Sequence, residues 1–114
     1  MIDGTSLREH CCQMLRDAGH QVRGTYEGSI GVELLRACNF DVVLTSTAVG
    51  DLHGAGLIQS IAELQNSPSI LVMSWYSLIL EELAAAHLDI AATIWKFELP
   101  EMLLPVLKRV LLAR

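Results

Sequence analysis

Two apolar runs of strand length, FDVVLTS at 40–46 and SILVMS at 69–74, constrain this chain most. Neither alternates apolar with polar residues. Continuous runs of this kind mark strands covered on both faces, as in parallel sheets. A chain with such strands must supply helices to both sides, and helical periodicity does lie between them. Leu7, Cys11, Met14, Leu15 and Ala18 follow helical spacing, with Gly19 placed as a C′ glycine. The spacing predicts a short strand through Val22 and a helix over 29–38 that buries Ile30, Leu34, Leu35 and Cys38. A third helix over 54–64 presents Leu57, Ile58, Ile61 and Leu64, and a fourth covers 78–87. A last short strand at 92–95 precedes a helix over 100–113. Alternating strands and helices imply right-handed crossovers, hence a doubly wound α/β fold.

Length and composition bound this reading further. A chain of 114 residues is one domain spanning 1–114, and 52% hydrophobic residues suffice for one core. The longest apolar run, over 70–80, is about half a membrane span and is interrupted by Ser74 and Ser77. The opening MIDGTS has neither the basic flank nor the apolar core of a secretion signal, so a reduced, cytoplasmic protein is expected. A net charge of −5 with no basic stretch argues against nucleic acid as a partner. Three cysteines, two of them adjacent, give neither a disulfide framework nor a CxxC metal pair. Cys11 is expected in the core and Cys12 at the surface. Four scattered histidines offer no metal site, and no cofactor is expected. One element is short: only MID precedes the first helix. In a doubly wound sheet of order 2-1-3-4-5 the first strand lies in the middle. Three residues must then suffice there, or the start of the domain is trimmed, or a second chain completes the sheet.

Four fragments in order carry a resemblance that spans essentially the whole chain. They are LREHCCQMLRDAGHQV at 7–22, FDVVLTSTAVGDLHG at 40–54, SILVMS ending at Ser74, and IWK ending at Lys96. Together they resemble the receiver domain of bacterial response regulators. The resemblance implies a flavodoxin-like sheet with a truncated first strand, and a place in two-component (phosphorelay) signalling. It also implies a site in which a carboxylate attacks phosphorus, acids hold a divalent cation, and a lysine and a hydroxyl bind phosphoryl oxygens. On this chain the acceptor position falls on Ser46, and the acidic pair falls on Ile2 and Asp3. Ser74 and Lys96 keep the identities the family has.

Serine lacks the ionised oxygen that acyl-phosphate formation needs, and no base stands beside it in the local sequence. One carboxylate is also a poor magnesium site. Phe97 stands where the resemblance implies a cis proline, and Trp75 where it implies a small residue. A non-proline cis bond costs about 2.5–4 kcal/mol, so a trans Lys96–Phe97 bond is expected. Asp3, Ser46, Ser74 and Lys96 are thus expected to form a degenerate acceptor pocket, in which Lys96 bonds Ser46, Asp3 or loop carbonyls. Asp3 has a second reading beside Thr5 and Ser6, as a cap of the first helix. The expected function is non-enzymatic: a bacterial pseudo-receiver acting through protein–protein interaction. Its partner would be a signalling kinase, an output domain, a regulator or a second copy of the chain.

The resemblance also implies a contact face on the last strand and the last two helices. That region carries more apolar residues than one buried stripe can hide, with Pro105 inside the final helix. Trp75, Tyr76, Trp95, Leu104 and Leu112 are the interface candidates. Three rival readings remain. Asp51 or Asp41 could accept the phosphoryl group instead. Asp51, His53 and Gly56 literally fit a DxHxxG cobalamin motif, but here it follows about 40 residues of strand and helix rather than a first strand. Gly4 to Ser6 could cradle a phosphate at the first helix, although no aromatic pair stands ready to sandwich a flavin.

Overall fold

The protein is described by a computed structural model covering residues 1–49, 52–85 and 89–114. Its elements are α1 (Leu7–Asp17), α2 (Gly28–Ala37), β1 (Val42–Ser46), β2 (Ala48–Val49), β3 (Leu52–His53), α3 (Gly54–Ala62), β4 (Ser69–Ser74), α4 (Ser77–Ala85), β5 (Ala92–Trp95) and α5 (Leu99–Leu112). A 3-10 turn, Lys96–Glu98, joins β5 to α5.

The two apolar runs lie side by side. β4 pairs in parallel with β1 on one edge and with β5 on the other. Alternate residues of each strand feed opposite cores, the pleat's period of two. Val43, Ile70 and Val72 join α2, α3 and α4 through Val32, Leu57, Ile58, Ile61, Leu80 and Leu83. Leu44, Leu71, Met73 and Ile94 join α1 and α5 through Cys11, Leu15, Leu99, Leu103, Val106, Leu107 and Val110. The sheet therefore has a helical layer on each face, as the continuous runs require. Burying each such side chain contributes roughly 1.5–3 kcal/mol before the entropic cost of ordering it.

Regular strands account for three of the five expected. Ahead of them, Ile2 makes single parallel bridges to Thr25 and to Thr45. The Ile2 N–H donates to the Leu44 carbonyl (2.8 Å), and the Ser46 N–H donates to the Ile2 carbonyl (2.9 Å). On the other side, the Thr25 N–H reaches the Met1 carbonyl (2.9 Å) and the Asp3 N–H reaches the Thr25 carbonyl (3.0 Å). The strand expected through Val22 does not form. Its neighbour line holds only Met1–Asp3, so pairing is confined to Thr25. A hairpin of β2 and β3 lies beyond β1.

Gly19 ends α1 as expected. It takes φ +94°, its N–H bonds the Arg16 carbonyl, and the His20 N–H bonds the Leu15 carbonyl, the two bonds of a Schellman motif. Two expectations of burial are corrected. In α2 the buried residues are Gly28, Gly31 and Val32, while Ile30 and Cys38 are exposed and Leu34 and Leu35 half-buried. The reason is Gly31: a Cβ there would collide with Ile2, so α2 approaches the sheet on its glycines. Cys12 is buried rather than exposed, because the chain around Gly24 crosses over its sulfur. Burial also pushes the neighbouring Cys11 thiol up to about 11, helped by Cys12 and Asp3, which leaves it inert.

Candidate functional site

The C-terminal ends of parallel strands converge on one edge, where doubly wound folds place their sites. Ser46 ends β1, Ser74 ends β4, and Lys96 follows β5 directly. Asp3 arrives on the same edge one residue after the Ile2 bridges. All four are buried, Asp3 at 0% exposure and Lys96 at 7%.

Asp3 is the hub. Lys96 crosses the edge to place Nζ 2.8 Å from Asp3 Oδ2. The Ser46 hydroxyl donates to the same oxygen. The other oxygen, Oδ1, accepts the Thr5 N–H at 2.7 Å and the Thr5 hydroxyl. Arg8 closes the surround by donating to the Asp3 main-chain carbonyl at 2.8 Å. Burial by itself would raise the Asp3 carboxyl. The hydrogen bonds from Lys96, Ser46 and Thr5 outweigh it and hold the group below the usual carboxylate range. Asp3 does not cap α1, whose N-cap Ser6 has no side-chain cap hydrogen bond; it holds Thr5 just ahead of the helix and pairs with Lys96. The structure also supplies what the local sequence lacked, an acceptor for the Ser46 proton 43 residues away. As a general base, however, this carboxylate is weakened by the ammonium on it.

Ser74 is buried on the same edge, but its Oγ accepts the Tyr76 N–H at 3.0 Å. The Gly4 to Ser6 segment is committed as well, since Thr5 turns its donors to Asp3. Among the described residues no group of three His, Cys, Asp or Glu could hold a metal ion. Asp51 lies outside the described residues, as does the side chain of His53, so the cobalamin motif falls there too. Asp41 is exposed at the opposite end of β1 from Ser46.

Over Lys96 sits an aromatic group that sequence reasoning only partly foresaw. Lys96 Nζ lies 5.7 Å from the centre of the Trp75 ring. Phe97 packs edge-on to Trp75 and tilted against Trp95, both with ring centres 4.9 Å apart. The Trp95 indole N–H donates to the Trp75 carbonyl at 2.9 Å. Phe97 and Thr5 were missed as site residues; their signal was position, immediately beside Lys96 and two residues after Asp3. The Lys96–Phe97 peptide is trans.

The interface candidates do not form one patch. Trp75, Trp95 and Tyr76, the last 67% exposed, stand at this edge. Leu112, 77% exposed, ends α5 near the other edge, where Arg114 donates to the Asp41 carbonyl and to Ser69 Oγ. Leu104 is half-buried and packs into the core between α5 and the sheet. Leucine counts in α5 could not separate these environments.

A family model for the response regulator receiver domain matches residues 3–108. The chain belongs to the receiver domain family. Receivers are modules of two-component signalling, and solved receivers share the fold. The chemotaxis response regulator CheY4 of Vibrio cholerae superposes with a TM-score of 0.86 at 20% identity, over 96% of this chain and 93% of that one. The receiver domain of a sensor histidine kinase from Pseudomonas aeruginosa, with magnesium coordinated in its active-site cleft, gives 0.84 at 17% identity, over 96% and 93%. A structure from a family of streptococcal redox sensors that evolved from two-component response regulators gives 0.85 at 16% identity, over 100% of this chain and 50% of that one. No curated protein sequence matches the chain. No helix among the described residues is long and apolar enough to cross a membrane.

Proposed function

We propose that this receiver signals by protein–protein contact, with the phosphoryl-acceptor chemistry withdrawn. One observation carries the reading: both oxygens of Asp3 are already taken by the chain's own donors, Lys96 and Ser46 on one and Thr5 on the other. At the position where the family resemblance puts the attacking carboxylate stands Ser46, and Ile2 stands in place of one metal acid. A magnesium ion would have to displace Lys96 to reach a single carboxylate, and that ion favours carboxylates and phosphates. We read Met1–Asp3 and the bridge at Thr25 as what remains of the first two strands of a 2-1-3-4-5 sheet. The streptococcal redox sensors support the idea that a receiver fold can take up other work.

The working surface in this reading is the exposed aromatic edge of Trp75, Tyr76 and Trp95, since such side chains dominate interface hot spots. Its partner is a signalling kinase, output domain or regulator of a bacterial cytoplasm, or a second copy of the chain. Intact-mass spectrometry after incubation with acetyl phosphate and magnesium tests the withdrawal directly. The mass stays unchanged if the reading is right. A gain of one phosphoryl group, mapped to Ser46, Asp51 or Asp41, makes this a conventional receiver.

A further inference from the structure

The exposed aromatic edge is built in a specific way. Ser74 pairs with Trp95 across the ends of β4 and β5, which brings Trp75, Trp95 and Phe97 together. The rings meet steeply, at 75° for Trp75 with Phe97 and 60° for Trp95 with Phe97, so their π faces turn in different directions. The bond from the Trp95 indole to the Trp75 carbonyl ties the end of one strand to the loop after the other. Packed as they are, all three rings stay exposed, Phe97 at 63%.

What surrounds these rings is anionic. Between positions 37 and 107 the sequence carries eight carboxylates and a single Lys or Arg, Lys96. That one cation is buried and paired with Asp3. Glu98 follows Phe97 directly, and Glu101 stands one turn further on in α5, both exposed. On α4, Glu81 and Glu82 lie three and four residues after the exposed Leu78, hence on the same outward face. Among the described residues no ion pair involves any of these four carboxylates. The chain thus leaves its aromatic edge without a surface cation of its own.

The chemistry of the missing complement follows. A tryptophan face attracts cations, and Trp75 already holds the Lys96 ammonium 5.7 Å from its ring centre. A guanidinium suits such a surface better than an ammonium, because its plane stacks on a ring while its fork engages a carboxylate. The same negative field repels nucleic acid and anionic lipid, so the complement belongs to a protein. We propose that this edge recognises an arginine-bearing segment of a partner protein, the guanidinium lying against Trp75, Trp95 and Phe97 and pairing with Glu98 or Glu101. Apolar side chains flanking that arginine cover the exposed Leu78 and Met102. The proposal rests on the reading of this edge as the contact surface and adds what the surface selects.

Nuclear magnetic resonance titration of the ¹⁵N-labelled chain with acetyl-Leu-Arg-Leu-Arg-amide, followed through the indole N–H signals of Trp75 and Trp95, tests this. Saturable shifts of both indoles are expected, and they should weaken as salt is added. Replacing each arginine of the peptide by citrulline keeps its shape and removes its charge, and should weaken binding at least about tenfold. Phe97→Ala removes an exposed ring and should abolish most of the binding. Glu98→Gln combined with Glu101→Gln should weaken it about fivefold and flatten the salt dependence, with an unchanged circular dichroism spectrum. Absence of saturable shifts with the arginine peptide overturns the proposal. Equal binding of the citrulline peptide overturns the arginine assignment and leaves the edge as a contact surface. Self-association abolished by the double glutamine variant would give the edge to a second copy and overturns it as well. Phosphorylation by acetyl phosphate bears only on the withdrawn chemistry, so the two readings fail separately.

Discussion

The two edges of the sheet are opposites. At the C-terminal edge a single carboxylate accepts from Thr5, Ser46 and Lys96, and every buried side-chain polar atom among the described residues has a partner. At the N-terminal edge a cavity of ≈ 560 Å³ opens among Met1, Val22, Val42, Leu107 and Leu111. Met1–Asp3 delivers Asp3 to the edge where the strands end, with Ile2 bridging Thr25 and Thr45. A receiver site can therefore be closed by its own side chains while the far end of its scaffold stays open.

The largest effect should come from breaking the closed edge. Asp3→Leu strips the buried Lys96 ammonium of its counter-ion and should cost about 3–5 kcal/mol, read by urea unfolding. The double variant Asp3→Leu with Lys96→Met should recover most of that loss, since removing both charges is far cheaper than stranding one. Equal losses in the single and double variants would show that the pair is not coupled.

Acid sharpens the comparison next. The folded-state carboxyl of Asp3 is held low, so its contribution is complete above the unfolded value of about 4 and drains away as pH falls through the lowered folded value. Stability of the native chain should fall below about pH 4, and Asp3→Asn should flatten that limb. An unaltered acid limb in Asp3→Asn would assign the acid sensitivity to other carboxylates.

The open edge should respond in the other direction and least. Leu111→Phe adds apolar volume at the rim of the cavity and should stabilise by about 0.5–1 kcal/mol, seen as a raised Tm. The same enlargement in a closed core, such as Leu57→Phe, should instead cost about 1–3 kcal/mol.

What could be read in the sequence divides along physical lines. SILVMS coincides with β4 residue for residue, because a central strand covered on both faces carries its own signal, and ATIW coincides with the edge strand β5. The helices over α1, α3 and α5 came within about two residues of their ends for a similar reason, strong apolar periodicity. The face of α2 was misjudged because its closest approach to the sheet runs over Gly31, and a glycine adds nothing to a hydrophobic stripe. The strand at Val22 was misjudged because strand formation depends on the neighbour's length, a property of another segment. At the site, the positions of Asp3, Ser46, Ser74 and Lys96 were implied by the receiver resemblance, and the structure brings these four residues to one edge. The sharing of one carboxylate among Lys96, Ser46 and Thr5 was not, since these residues lie up to 93 positions apart.

The central claim is that the Asp3 edge is already filled by the chain itself. Titration with beryllofluoride and magnesium, followed through the backbone amides and the Lys96 side chain, addresses it most directly. The account predicts no saturable change at Ser46, Ser74 or Lys96. Saturable shifts at those three residues, with Lys96 leaving Asp3, would contradict it and restore the acceptor chemistry.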